Sequence, residues 1–138
     1  MLGDLLYEGK GKLTGSRIIN VDEYKIEHSI IEEGKFKDIE ITEIGTFWTI
    51  PTSTDKNITY VEGQGIINTK DGQDTATFRG YGIGRSKGQV GTSFRGSVFY
   101  KSSSTNGGKL SFLNNKIGVF ETEVDESGNS IEKHWEWK

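Results

Sequence analysis

The sequence predicts an all-β protein in which one antiparallel sheet of roughly eight strands closes into a barrel, with a β-sandwich as the alternative. Turn-forming pairs such as Asp71-Gly72 recur at short intervals and divide the chain into about nine segments of strand length. Several segments alternate with a period of two and are rich in Ile, Val, Thr, Tyr and Phe. Apolar spacing typical of helices is missing, so we expect at most a turn or two of helix, near residues 1–6.

Composition favours a folded chain with one domain, a β-barrel over residues 1–138. Hydrophobic residues make up 32% of the chain, and 7 Phe, 5 Tyr and 3 Trp provide bulky core material. The 19 glycines and the single proline, Pro51, suit tightly twisted strands with free backbone donors. The run of hairpins favours the barrel over the sandwich because closure removes the edges of the sheet.

The same composition excludes several classes of function. The chain has no cysteine, which excludes disulfides, thiolate metal sites and a cysteine nucleophile. The formal net charge is −3 with both signs interspersed, so nucleic acid is not an expected partner. The first six residues, Met1 to Leu6, show neither a signal peptide nor a membrane span. We therefore expect a cytoplasmic protein with no membrane partner.

The central hairpin of the chain, residues 57–85, has a predictable register because Asp71-Gly72 indicates a two-residue turn. This register places Gly65 opposite Phe78 and Gln64 opposite Arg79. One face of the hairpin is then small, apolar and rich in glycine: Val61, Gly63, Gly65, Ile67, Ala76, Phe78, Gly80 and Gly82. The other face is polar and aromatic, and Glu62 is within ion-pair reach of Arg79 on that face.

Either face of this hairpin can point inward. In one interpretation the glycine face lies inside, where the missing side chains permit the sharp coiling of a small barrel. In the other, the polar face lines a cavity and orients a small ligand, although buried charge is costly unless it is paired. The predicted ligand-binding residues belong to this second interpretation: Tyr60, Glu62, Gln64, Arg79 and Tyr81.

No catalytic or metal-binding motif can be recognised. The glycines between Gly80 and Gly84 match neither a dinucleotide fingerprint nor a Walker loop. The 2 histidines, His28 and His134, lie on separate predicted strands, and a shared metal would need carboxylates from the acidic stretch Glu32 to Glu43. Solvent-exposed histidines are the preferred interpretation. We assign no catalytic residue, no metal ligand and no cofactor.

The last predicted strand has two faces of different character. Ile131, Trp135 and Trp137 share one face, and Glu132, His134 and Glu136 share the other. Such a strand is half-buried, and tryptophan is more common in a core than on a ligand platform. We therefore expect the tryptophan face to pack inside.

The glycine hairpin Glu62 to Arg85, the segment 108–113 and the closing run 117–124 resemble the calycin-like barrels. They are most similar to the allene oxide cyclase-like and dirigent-like group and its uncharacterised prokaryotic relatives. The resemblance covers most of the chain, has no signature motif and transfers no site residue. It implies an antiparallel barrel of roughly eight strands, assembly as a homo-dimer or trimer, and a cavity for a small molecule.

Binding of a small hydrophobic or amphipathic organic molecule inside the barrel is the function that these observations predict. An isomerase or cyclase that acts by positioning its substrate is one alternative. A structural or protein-interaction module is another, with the glycine face or the loop from Ser102 to Gly108 making the contact.

Overall fold

Eight antiparallel strands, each paired with its neighbours in chain order, form a closed barrel in the computed structural model. The structure describes residues 2–52, 54–102 and 108–138. The strand β8 pairs with β1, so every strand has two partners. The prediction of an all-β barrel is confirmed. The strands are β1 (Leu2–Asn20), β2 (Lys25–Phe36), β3 (Ile39–Pro51), β4 (Ile58–Thr69), β5 (Thr75–Ser86), β6 (Thr92–Ser102), β7 (Ile117–Val124) and β8 (Asn129–Trp137).

Helical structure in the described part of the chain is limited to two 3₁₀ turns, Gly88–Val90 and Ser111–Leu113. The helix expected near the N-terminus is wrong, because Leu2 and Leu5 pair with tryptophans of β8 as part of β1. Two register shifts interrupt this pairing, which accounts for the adjacent apolar residues there. Within the described ranges, no helix has the length and apolar character needed to cross a membrane.

The predicted register of the central hairpin is confirmed. Gln64 pairs with Arg79, and Gly65 pairs with Phe78. The turn itself is longer than predicted, because the last bonded pair is Thr69 with Asp74, joined by an N–H to carbonyl bond of 3.0 Å. One residue is added to the loop on each side, so the loop lengthens while the pairing stays in step.

Two of the predicted turn signals lie inside strands. Gly34 is within β2, where a Cβ would lie 2.7 Å from the Gly9 Cα of β1. Gly15 is within β1 beside a register shift of the β1 and β2 pairing. These glycines permit a close approach of two backbones and a bulge, and they do not reverse the chain. The strands are therefore fewer and longer than predicted.

The glycine-rich face of β4 and β5 points into the barrel. Val61, Ile67 and Ala76 are buried, whereas Tyr60 and Tyr81 on the opposite face are 56% and 45% exposed. The Phe78 ring covers Gly65, since a Cβ at this glycine would lie 2.6 Å from Phe78 Cζ. The first interpretation of the hairpin is therefore the correct one.

One end of the barrel is closed by apolar packing. Leu110 and Leu113, from the segment between β6 and β7, are fully buried against residues that include Phe36 and Ile41. The Asp74 carboxylate accepts a 2.7 Å hydrogen bond from the Leu110 amide and anchors this segment. A smaller apolar cluster lies toward the other end: Val61, Phe94 and Val124.

The close packing at Gly65 predicts a specific cost of adding one methyl group. We expect Gly65→Ala to lower the free energy of unfolding by about 1–3 kcal/mol because the new Cβ overlaps the Phe78 ring. Gly15→Ala is the matched control, since a Cβ at Gly15 meets no atom within 4 Å. Urea unfolding of both variants measures the difference, and equal stabilities would contradict the packing described above.

Candidate functional site

Three glutamates from three strands meet inside the barrel. Glu32 of β2, Glu43 of β3 and Glu132 of β8 each offer a carboxylate oxygen, and these oxygens lie within 4.8 Å of one another. Glu32 and Glu43 are each only 4% exposed. Burying a carboxylate is costly unless hydrogen bonds, a counter-charge or a proton compensates it. We call this group the acidic cluster.

The acidic cluster lies beside β1, the strand between β2 and β8. It forms there because the two nearby inward positions of β1, Gly9 and Gly11, have no side chain. Gly11 of β1 pairs with Glu32 on one side and Ser130 on the other, and Gly9 pairs with Glu132. A Cβ at Gly11 would collide with Glu32 Cγ and lie 2.9 Å from Ser130 Oγ. Glu43 joins the cluster as the cross-strand partner of Glu32.

Two hydroxyl groups hold the carboxylate of Glu32. The Tyr7 hydroxyl donates to Oε1 at 2.9 Å, and Ser130 Oγ donates to Oε2 at 3.3 Å. Burial first, and then the negative charge of Glu132, raise the pKa of Glu32 well above its usual range. A proton on Glu32 is thus retained at a pH where an exposed glutamate is ionised.

Glu132 begins a chain of polar contacts across β7. Thr122, its cross-strand partner, donates to Oε1 at 2.6 Å, and His134 Nε2 lies 3.1 Å from Oε2. On the other side of the imidazole, the Tyr100 hydroxyl lies 2.6 Å from Nδ1. Tyr100 reaches the histidine over Gly118, where a Cβ would lie 3.0 Å from the hydroxyl. Burial alone would raise the pKa of Glu132, but the charge of His134 and the hydrogen bonds with His134, Thr122 and Glu32 lower it.

Glu43 is the member of the cluster without compensation. Its Oε2 atom is buried and has no hydrogen-bond partner. Burial, followed by the negative charges of Glu132 and Glu32, raises the pKa of Glu43 well above its usual range. The carboxyl group is therefore held neutral by a proton unless a positive charge is supplied from outside the protein.

A cavity of about 80 Å³ adjoins the acidic cluster. Its polar wall is formed by the three glutamates with Thr122 and His134, and inward glycines on β3, β4 and β5 leave its space free. A cavity that admits benzene measures about 150 Å³, so this one suits a smaller group. The apolar part of the wall consists of Ile30, Phe47, Val61, Phe78, Phe94, Val98, Phe120 and Val124.

The structure places the five predicted ligand-binding residues on the outer face of β4 and β5. Tyr60 and Tyr81 are exposed, and Arg79 Nη2 donates to Gln64 Oε1 at 3.4 Å. Gln64 also borders the cavity, where its carbonyl oxygen would lie 3.1 Å from a Cβ at Gly45. Their assignment as the polar lining of the barrel is therefore corrected, because strand alternation turns their side chains outward. A role for these residues in binding remains a prediction.

The functional candidates that sequence reasoning missed lie on the last strand. His134 is 3% exposed, and it faces inward with Glu132, whereas Ile131 and Trp137 are 53% and 56% exposed. The expectations of a buried tryptophan face and of a solvent-exposed His134 are both wrong. A usable signal was present in the glycines of β1, which mark the place where side chains from neighbouring strands converge.

The comparisons with known proteins support the fold. No family model and no curated protein matches the chain. A protein of unknown function from Clostridium acetobutylicum is 13% identical with a TM-score of 0.79, and the match covers 98% of each chain. A conserved protein of unknown function from Rhodopseudomonas palustris is 14% identical with a TM-score of 0.76, over 99% of each chain. A β-barrel-like protein from Acinetobacter baumannii is 14% identical with a TM-score of 0.75, over 100% of this chain and 96% of the other.

The raised pKa values of Glu32 and Glu43 predict that the free energy of unfolding falls as the pH rises from about 5 to about 8. In the unfolded chain both groups lose their protons near pH ~4.3, before they do so in the folded barrel. Their contribution to stability is fully present below that pH and is lost as the pH rises toward their folded pKa. The lowered pKa of Glu132 has the opposite effect. Its contribution to stability is present above the pKa of an unfolded glutamate and is lost as the pH falls toward its folded pKa.

Glu43→Gln removes one of the two groups with a raised pKa and should flatten this pH dependence. Glu33→Gln is the matched control, since Glu33 is the neighbour of Glu32 on β2 and its side chain is 74% exposed. Urea unfolding of the parent and both variants across the pH range gives the slopes. A parent slope of zero, or equal slopes in parent and Glu43→Gln, would show that the buried carboxyl groups do not retain protons.

Proposed function

We propose that the interior of the barrel binds a small organic molecule, hydrophobic or amphipathic, with its polar end toward the acidic cluster. The observation that carries this proposal is the composition of the cavity wall, in which aromatic and aliphatic side chains adjoin the acidic cluster, Thr122 and His134. Ligand sites typically combine a mostly apolar wall with a few convergent polar groups that fix orientation. The wall of this small cavity combines the same two kinds of group.

The size of the cavity restricts the ligand. At about 80 Å³ it holds only a few non-hydrogen atoms, well below the space of about 300 Å³ or more that drug-sized ligands occupy. A long acyl chain does not fit without displacing side chains. The proposed ligand is therefore compact, or inserts only one end into the barrel.

The closed end of the barrel limits how a ligand enters. Leu110 and Leu113 are fully buried there, so this end is filled by the protein itself. At the other end, Val61, Phe94 and Val124 retain 8–9% exposure. We propose entry from this second end, past Phe94, toward the acidic cluster.

The resemblance to the allene oxide cyclase-like and dirigent-like barrels supports a small-molecule site in the same general position, but kinship with that group remains a proposal. Two of the three neighbours of known structure are described as proteins of unknown function, and identities of 13–14% bear on the fold alone. The cytoplasm remains the proposed location.

Catalysis by substrate positioning, as in an isomerase or cyclase, is the second candidate function. It is favoured by Glu132 and His134, which lie 3.1 Å apart at the cavity wall and are within reach of a bound molecule. A ligand recovered unchanged after incubation with the protein indicates binding. Recovery of an isomer, detected by chromatography, indicates catalysis.

Native mass spectrometry of protein purified from its own cells tests the binding proposal. We expect a non-covalent adduct that Val61→Phe abolishes, because the larger side chain fills the cavity beside Phe47 and Phe94. Ile66→Phe is the control, since Ile66 lies on the outer face of the same strand and is 50% exposed. An adduct that persists in Val61→Phe would place the ligand outside the barrel.

We also propose that the barrel assembles as a homo-dimer or trimer through its outer surface. Ile31, Ile44 and Ile66 are direct cross-strand neighbours on β2, β3 and β4, and they are 50%, 63% and 50% exposed. A contiguous row of exposed apolar side chains is typical of an interaction surface. The glycine face is inside the barrel and is not available for this contact.

Sedimentation velocity measures this assembly. Ile44→Lys should convert the oligomer to a monomer, because a charge at the centre of the isoleucine row would be buried without a partner. Ile117→Lys is the control, since Ile117 is 46% exposed on β7, away from the row. A monomeric parent protein, or an equal effect of both substitutions, would reject the proposed surface.

A further inference from the structure

The acidic cluster places more potential negative charge inside the barrel than the described residues can compensate. Glu132 has His134 as a partner, and Glu32 has the Tyr7 and Ser130 hydroxyls. Glu43 is 4% exposed, belongs to the same cluster, and leaves Oε2 without a hydrogen bond. A buried polar group without a partner calls for a specific explanation, such as an ion that completes its contacts.

The spacing of the ligand atoms suits a divalent cation. Oxygens on opposite sides of a calcium ion are about 4.6–5.2 Å apart, and those around smaller divalent ions are closer. The carboxylate oxygens of the cluster lie within 4.8 Å of one another.

The groups around the acidic cluster have the arrangement of an outer shell at a metal site. Metal-binding carboxylates usually accept hydrogen bonds from groups that orient them. Here His134 Nε2 lies 3.1 Å from Glu132 Oε2, and the Tyr100 hydroxyl lies 2.6 Å from Nδ1 on the other side of the ring. Thr122 and Tyr7 support Glu132 and Glu32 in the same way.

We infer that Glu32, Glu43 and Glu132 form a site for one divalent cation inside the barrel, with His134 beside it as a partner of Glu132. Three carboxylates suit ions such as Mn²⁺, which accepts oxygen ligands. The adjoining cavity has room for the water molecules that such ions retain. The inference does not depend on an organic ligand, although a ligand in the cavity would lie beside the ion.

The test uses the whole chain, treated with a chelator, dialysed and titrated with MnCl₂, CaCl₂, MgCl₂ or ZnCl₂ by calorimetry. We expect about one Mn²⁺ ion per chain, counted by elemental analysis. Glu43→Gln should weaken Mn²⁺ binding at least about tenfold. Glu33→Gln, on the outer face beside Glu32, should leave it unchanged.

The inference would be overturned if none of the four ions bound, or if the parent and Glu43→Gln had equal Mn²⁺ affinity. Circular dichroism shows whether Glu43→Gln is folded, and Glu32→Gln replaces it if it is not. If neither variant folds, Mn²⁺ that binds the parent without broadening the amide signals of Glu32, Glu43 and Glu132 in nuclear magnetic resonance spectra would reject the site. Native mass spectrometry separates this proposal from organic ligand binding, because a chelator should remove the mass of the metal ion and leave the mass of an organic adduct.

Discussion

The close approach of neighbouring strands over inward-facing glycines is the constraint on which the rest of the interior depends. Each strand of a small barrel points about half of its side chains inward, and these normally fill the available volume. At Gly11 of β1 there is no side chain, and the adjacent strands use that space for Glu32 and Ser130, whereas the Tyr7 ring of β1 itself takes the space at Gly9. Because the inward glycines of β3, β4 and β5 have no side chains, a cavity remains beside them.

Electrostatics then determines what the barrel interior can accept. Three carboxyl groups this close cannot all remain charged in an apolar enclosure unless protons or a cation compensate their charge. Without a cation, Glu32 and Glu43 hold protons and Glu132 stays ionised beside His134. In the site that we propose, a cation replaces these protons. The Tyr7 and Thr122 hydroxyls, which donate to Glu32 and Glu132, are suited to ionised carboxylates.

The sequence was sufficient for the fold class and for the pairing of β4 with β5. Alternation has a period of two, so a turn at Asp71-Gly72 determines which residues face each other, even though the loop is longer than predicted. Alternation also sorts the residues of a strand into two faces, but it does not say which face is inside. Physical expectation favours the apolar face, and β8 breaks this rule with Glu132 and His134 inside and Trp137 outside.

The candidate site was not predictable for the same reason. Its glutamates are far apart in the chain, and each looks like an ordinary surface residue of an alternating strand. Only the closure of β8 on β1 brings Glu132 to Glu32, and the glycines of β1 indicate a close approach without showing which side chains meet there. Burial of His134 follows from that closure as well, because its partners Tyr7 and Phe120 belong to the two strands flanking β8.

The acidic cluster also bears on the alternative of a purely structural module. Replacing a buried ionic group with well-packed hydrophobic residues is often neutral or stabilising, so a barrel selected for stability alone has little use for three enclosed carboxyl groups. Features that break a local rule of stability tend to occur at functional sites. In this barrel the same cavity is lined by the unpartnered Glu43 and by the pair of Glu132 and His134. That coincidence directs the search for function to the interior rather than to the polar outer face of β4 and β5.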